Sequence, residues 1–330
     1  MILGGDVGGT KCNLALFEPG NGRLLAESVR RFPSGSFARF EDVVAEFVRT
    51  VAEPAKLTIT GAGFGVAGPP VDGVCVATNL PWVVDSRSLA ALLGLSRVAL
   101  VNDLEANAYG IAVLSPADFE VLHPGVSGAH GMQAVIAAGT GLGEAGLFWD
   151  GKMHRPFSSE SGHADLAPGN ELQDELVAYL RKKFGGHVSW ERVLSGPGLR
   201  NVFDFLRETG RGSAEAWLVE EMQKEDPSAA ISRAALAGKS PLCVEALDMF
   251  VSMYGAEAGN LTLRLMATGG LFVGGGIAPK ILPKLRGPVF TEAFFSKGRM
   301  RPVLERVPVR VILNDRTALF GAARCAMLGI

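Results

Sequence analysis

Cysteine is scarce in this chain of 330 residues: Cys12, Cys75, Cys243 and Cys325 stand far apart, with neither the spacing of a metal-ligand set nor that of a disulfide framework. Such scattered thiols suit a reducing, cytoplasmic setting. Excess charge of either sign is also missing, since 32 Lys and Arg face 34 Asp and Glu for a net charge of −2. No dense basic run stands out, which argues against nucleic acid or an anionic membrane surface as a partner. No long apolar run is free of charge: the stretch 241–267 carries Glu245, Asp248, Glu257 and Arg264, and reads as a buried helix rather than a membrane span. Met1-Ile2-Leu3 leads straight into a strand without a charged n-region, so nothing here marks the chain for export. What is present is 48% hydrophobic content over a length sufficient for two domains, which points to a folded protein that works on small molecules.

Two glycine-rich turns carry the chemistry. Asp6-Val7-Gly8-Gly9-Thr10-Lys11 follows an apolar strand, and Gly139-Thr140-Gly141-Leu142-Gly143 repeats the design later in the chain. Small residues let backbone N–H groups approach an anion, and a Thr hydroxyl adds a donor. Two such cradles suggest a nucleotide held between two lobes; tight hairpin turns are the competing reading of either one alone. The Asp6 carboxylate cannot face a bare phosphate, so its partner is expected to be Mg²⁺ or the water shell of that ion.

Other phosphate motifs do not survive their context. Gly4 to Lys11 has the glycines of a P-loop, but Thr-Lys stands where Lys-Ser/Thr should open a helix, and the alternating run after it reads as a second strand. Gly63-x-Gly65-x-x-Gly68 and Gly141-x-Gly143-x-x-Gly146 match the dinucleotide fingerprint formally. That fingerprint needs a helix at its third glycine. Pro69-Pro70 forbids one in the first case, and Leu147-Phe148-Trp149 continues as strand in the second.

Hydrophobic periodicity predicts strands at about 1–8, 12–18 and 23–31, a helix at 37–52, strands at 57–66 and 97–102, and a helix at 103–114. Strands near 132–138, 144–149 and 151–155 restart a similar order, as a structural duplication would. Helices follow at 171–184, 196–208, 213–224, 228–237 and 241–267, then a strand entering Gly274-Gly275-Gly276. Strand 308–313 and a helix from Asp315 to about Met327 close the chain. That last helix is expected to return to the first half, giving a small α/β domain of 1–111 plus 314–330 and a larger, helix-rich one of 112–313.

Asn102-Asp103 ends a strand and opens a helix, at the strand end where open α/β sheets place ligands. Asp103 there suits a general base for a substrate hydroxyl and Asn102 a hydroxyl-binding amide; an N-cap role for Asp103 is the competing reading. Glu160-Ser161-Gly162-His163 offers Glu160 and His163 as partners for sugar hydroxyls. Glu191 is a third candidate carboxylate, set against a plain helix-start role beside Ser189.

Taken together, these segments resemble the bacterial glucokinase family of actin-like, ribonuclease H-type sugar kinases, over nearly the whole chain. Asp6 to Thr10 and Ala138 to Gly143 resemble its two phosphate segments, and Asn102-Asp103-Leu104-Glu105-Ala106 its catalytic segment. Glu160-Ser161-Gly162-His163 and Glu191-Arg192-Val193-Leu194-Ser195-Gly196 resemble its sugar segments, Gly274-Gly275-Gly276-Ile277 its adenosine segment, and Asn79 falls where it places a sugar-side loop. The resemblance implies two ribonuclease H-like domains flanking a cleft and closing on the sugar, usually in a homodimer. It implies transfer from ATP to the 6-hydroxyl of glucose, feeding glycolysis, with Asp103 as base and Mg²⁺ on the phosphates. Asp6, Gly8, Gly9, Thr10, Lys11, Gly139, Thr140, Gly141 and Gly274 to Gly276 would hold the nucleotide. Asn79, Asn102, Asp103, Glu160, His163 and Glu191 would hold the sugar. Lys11, where relatives often carry Asn or Ser, and Ser161, where a glycine is common, depart from the pattern. The cysteine-rich zinc segment of the related ROK kinases is absent, which argues for the non-ROK branch. Another hexose, another phosphoryl donor, or a non-catalytic sugar sensor of the same fold remain as alternatives from sequence.

Overall fold

The computed structural model describes residues 1–78 and 80–330. Asn79 therefore lies outside the described residues. The chain divides into two compact units, one made of Met1–Pro116, Arg155–Ser158 and Asn314–Ile330, the other of Ala117–His154 and Ser159–Leu313.

In the first unit, β1 (Ile2–Val7) and β2 (Lys11–Phe17) form an antiparallel hairpin, with Asp6 opposite Asn13 and Val7 opposite Cys12. Strand β3 (Arg30–Pro33) pairs with β2. After α1 (Phe40–Phe47), β4 (Gly61–Val66) lies parallel to β1. A separate hairpin, β5 (Val74–Val76) and β6 (Val83–Asp85), leads into α2 (Ser86–Leu93), then β7 (Ala99–Asn102) and α3 (Asp103–Ile111). The main sheet runs β3-β2-β1-β4-β7. Its parallel registers set Val7 beside Val66 and Val66 beside Asn102, so the first glycine turn and Asn102-Asp103 leave the same edge of the sheet. Phe40 anchors the core beneath, with its ring 5.0 Å from that of Phe64 and 6.0 Å from that of Trp82. Burying each such ring contributes roughly 1.5–3 kcal/mol.

The second unit repeats the order. Strands β8 (Phe119–His123), β9 (Gln133–Ala138), β10 (Leu142–Trp149) and β11 (His154–Ser159), the last with its Arg155–Ser158 counted in the first unit, precede helices α4 (Glu171–Phe184), α5 (Gly196–Glu208), α6 (Ala216–Lys224), α7 (Pro227–Leu236) and α8 (Pro241–Leu265). Then come β12 (Gly270–Gly274), the short α9 (Leu282–Leu285), α10 (Pro288–Phe295) and α11 (Arg301–Leu304), and β13 (Val309–Ile312). The sheet order β11-β10-β9-β12-β13-β8 matches that of the first sheet with β8 added at the edge. The duplication expected from sequence is thus present in the topology. Among the described residues no helix is long and apolar enough to cross a membrane.

The chain re-enters the first unit as α12 (Thr317–Leu328), which lies on β1, β4 and α3. It comes so close that a methyl group on Gly321 would strike the carbonyl of Ala106, and one on Gly63 that of Ala322.

Three local expectations differ from the structure. The strand expected over 23–31 is split: the Ser28 hydroxyl accepts from the Leu16 N–H at 2.8 Å and donates to the Leu25 carbonyl at 2.6 Å, and a tight turn at Ala26–Ser28 replaces the ladder. The helix expected over 37–52 starts at Phe40 and widens at Val48–Ala52, where the Glu53 N–H reaches back to the Val48 carbonyl. Strands β5, β6 and β8 and helix α2 were not expected. Helix α2 had a legible start and stop, with Asp85 accepting from the Arg87 N–H at 2.9 Å and Gly94 at φ 65°.

Candidate active site

The first glycine turn closes with the Gly8 N–H on the Lys11 carbonyl at 3.0 Å. Ser34 braces it, donating from Oγ to the Gly8 carbonyl at 2.8 Å and from its N–H to the Thr10 carbonyl at 3.1 Å. Because the chain continues as β2, the turn is a hairpin cradle and not a P-loop. Asp6 sits just before it. The Asn13 amide donates to Asp6 Oδ2 at 3.1 Å, and Arg31 Nε donates to Asn13 Oδ1 at 3.3 Å. Desolvation pushes the Asp6 carboxyl up, with Asp315 adding to it and the Asn13 bond and Lys11 opposing.

Asn102, rather than Asp103, caps α3. Its Oδ1 accepts from the N–H groups of Leu104 at 2.9 Å and Glu105 at 3.4 Å, while its Nδ2 donates to the Gly68 carbonyl at 3.1 Å. Its side chain also bonds the Asp103 carboxyl. Asp103 is therefore the first residue of the helix, where Oδ1 accepts from the Leu104 N–H at 2.8 Å. Its carboxyl is pushed up to about 6, first by desolvation and further by the charge of Asp6, against the pull of the Leu104 bond. A carboxylate ionised at neutral pH, yet basic enough to take a proton, suits general-base chemistry.

In the second unit Gly139-Thr140-Gly141 joins β9 to β10, with the Gly139 N–H on the Gly141 carbonyl at 2.8 Å. The same β9 edge meets the turn after β12: Gly274 pairs beside Ala137, and Gly275, at φ 81°, packs where a side chain would hit the Ala138 carbonyl. The buried Tyr254 hydroxyl ties these ends together, accepting from the Ala138 N–H at 3.2 Å and lying 3.3 Å from the Gly274 carbonyl. A cavity of about 660 Å³ opens here, within the range of small-molecule sites. Gly139, Thr140 and Gly276, given to the nucleotide from sequence, line it together with Gly196, which the sequence grouped with a sugar segment; Arg200, Ser228 and Lys280 line it as well and were missed. Asp226-Pro227 was legible as a helix start, and Asp226 does cap α7 by accepting from the Ser228 N–H at 3.0 Å, but no sequence signal placed that helix end beside the loop.

The residues of this unit expected to hold the sugar surround the start of β10. Glu160 and His163 bracket a tight turn, with His163 Nε2 3.9 Å from Glu160 Oε2 and both side chains largely exposed. Gly162, within this turn, packs where a methyl group would strike the Leu142 carbonyl. Ser161 engages Ser159, Oγ to Oγ at 3.0 Å, and Ser159 Oγ donates to the Glu144 carbonyl at 2.8 Å, so the serine adds a tie to this turn. The following segment is stitched to that of Glu191 by the Trp190 N–H on the Ala164 carbonyl at 3.1 Å. Glu191 itself accepts from the Leu142 N–H through Oε2 at 3.0 Å. Ser189 makes no cap at Trp190–Arg192; Ser195 is the cap, of α5, accepting from the Gly198 N–H at 3.0 Å.

Among the described residues no group of three or more His, Cys, Asp and Glu side chains is placed to hold a metal ion. Mg²⁺ does not require such a cage, because it is commonly held by one or two carboxylates, water and phosphate oxygens. Asp6, desolvated and electrostatically coupled to Asp103, fits that pattern, since a cation would relieve the repulsion between the two.

The family model for glucokinases matches residues 3–328. A glucokinase of Trichormus variabilis is 40% identical over 342 aligned residues, covering 99% of this chain and 98% of the relative. The crystal structure of a glucokinase from an Antarctic psychrotroph superposes with a TM-score of 0.84 at 31% identity, covering 98% of each chain. A ROK family glucokinase from Streptomyces griseus, solved in complex with glucose and AMPPNP, shares the fold with a TM-score of 0.69 at 23% identity, over 99% of each chain. The architecture common to them is the actin-like ATPase fold, two ribonuclease H-like α/β units in one chain.

Proposed function

This chain belongs to the glucokinase family, and from that premise we propose that it transfers the γ-phosphoryl group of ATP to the 6-hydroxyl of glucose. The observation that carries the reading is Asp103, a desolvated carboxylate at the first position of α3, beside the glycine turn that follows Asp6. Phosphoryl transfer asks a protein mainly to align acceptor and donor and to neutralise spreading negative charge. Asp103 accepts the proton of the attacking hydroxyl, which a well-placed base makes worth roughly 10²–10⁴ in rate. Asn102 offers its side-chain amide to a neighbouring hydroxyl, and Glu160, His163, Glu191 and Asn79 supply further sugar partners.

The N–H groups of Gly9 and Thr10 and of Thr140 and Gly141 donate to phosphate oxygens, while Gly8 and Gly139 spend theirs closing the two turns, and Lys11 adds a positive charge. The turn Gly274-Gly275-Gly276 and the cavity beside it take the adenosine. Mg²⁺, which would supply charge neutralisation on the phosphates, would be held by Asp6. The balanced charge and four buried, unpaired cysteines support a cytoplasmic enzyme, and the family resemblance supports a homodimer.

A coupled assay across hexoses and phosphoryl donors tests the reading. Turnover is expected with glucose and ATP; turnover with another hexose alone, or with ADP or polyphosphate in place of ATP, would move the assignment, and sugar binding without turnover would make the chain a sensor.

A further inference from the structure

The Gly139–Leu142 loop has two faces. Gly139 and Thr140 line the cavity of about 660 Å³, whereas the next two residues turn to Glu191. Leu142 donates its N–H to Glu191 Oε2 at 3.0 Å, and Gly141 lies so close to the same oxygen that a side chain there would collide with it. A second tie runs in parallel, from the Gly196 N–H to the Gly139 carbonyl at 2.9 Å, and the Ser195 hydroxyl donates to the Glu191 carbonyl at 2.8 Å. The loop is thus clamped on its far side by one carboxylate and by the start of α5.

We propose that Glu191 is a positioning residue for the nucleotide: by gripping the Leu142 N–H it holds Gly139 and Thr140 in the conformation that receives phosphate, in addition to any contact it makes with the sugar. The inference rests on the kinase reading above. A backbone loop of three small residues has many competing conformations, and holding it in one of them ahead of binding raises affinity by removing that ordering cost. A charge-assisted bond to a carboxylate is the strongest tether this loop has. Electrostatics alone predicts the opposite effect, because a negative charge behind a phosphate site repels the ligand. The sign of the change on removing Glu191 therefore decides between the two.

The experiment is calorimetric binding of AMPPNP with Mg²⁺ in the absence of sugar, on the full chain, with circular dichroism to confirm folding. Glu191→Ala is expected to raise the nucleotide Kd at least tenfold, while Glu191→Gln, whose amide oxygen still accepts from Leu142, stays within about threefold of the wild type. In turnover, Glu191→Ala should then raise the KM for ATP as well as that for glucose. Gly141→Ala pushes on the same oxygen, so its cost should shrink in the double variant with Glu191→Ala, as coupled positions do. An unchanged or tighter Kd in folded Glu191→Ala, or additive effects in the double variant, overturns the inference and leaves the kinase reading standing. Failure of the wild type itself to bind the nucleotide overturns both.

Discussion

Asn13 faces Asp6 directly across the first hairpin and donates to its Oδ2 at 3.1 Å, so the strand register delivers an amide to the carboxylate that precedes the first glycine turn. Asn13→Ala should let the Asp6 side chain wander and push its carboxyl further up, since the bond that favours the ionised form is gone. Supporting residues of this kind are worth roughly 10–100-fold in metal affinity. The Mg²⁺ concentration giving half-maximal turnover should rise into that range; a Mg²⁺ titration indistinguishable from the wild type would show that Asp6 needs no such support or does not serve the ion.

Asp103→Asn should reduce kcat by roughly 10²–10⁴ and leave glucose binding within about tenfold, because the amide keeps the shape and loses only the basicity. The wild type carries a matching pH signature. With the carboxyl pushed up to about 6, the base is ionised above that pH and protonated below it, so kcat/KM should fall as pH drops through about 6. A flat profile between pH 5 and 7 would remove Asp103 from the role.

Glu160 and His163 are both largely exposed and meet only at 3.9 Å, so they contribute little to stability. Alanine at either position should leave the melting temperature nearly unchanged and raise the KM for glucose by at least about tenfold, as expected for a lost hydrogen bond to a charged partner. A rise confined to the KM for ATP would move both residues to the nucleotide.

Away from the site, Glu144 of β10 and Glu257 of α8 are wholly buried and share the guanidinium of Arg264; Asn260 Nδ2 donates to Glu257 at 2.9 Å, and the charges of Glu257 and Arg264 also act on the half-buried Lys297 ammonium. Burial, reinforced by the charge on Glu257, pushes the Glu144 carboxyl up to about 8, with Arg264 opposing. In the unfolded chain it ionises near 4.5. The folded state therefore holds the proton more tightly, and this contribution to stability is complete below about 4.5 and is lost as pH rises through about 8. Glu144→Gln should remove that loss, gaining on the order of a few kcal/mol relative to the wild type between pH 5 and pH 8. Parallel denaturation curves at the two pH values would refute it.

Elements whose signals are local were legible. Helices α4 and α5 span the 171–184 and 196–208 that hydrophobic periodicity predicts, and both glycine turns are hairpins because alternating strands flank them. Elements whose signals are short or contested were not. Strands β5 and β6 have three residues each, too few for a period, and the Ser28 hydroxyl cut a strand that the pattern of 23–31 carried through.

The sequence by itself determined the residue types that phosphoryl transfer needs, the two glycine turns, and the α/β order repeated in two units, because each depends on neighbours within a few residues. Only the tertiary structure decided which residues meet. Parallel registers brought Asn102 level with Val7, and chain return placed Gly321 against Ala106. The packing of α5 and α7 put Arg200 and Ser228 around a cavity with Thr140, and Glu191 closed on Leu142 from 49 residues away. These are pairings between distant segments, set by core packing and strand order, and no window of the sequence contains both partners.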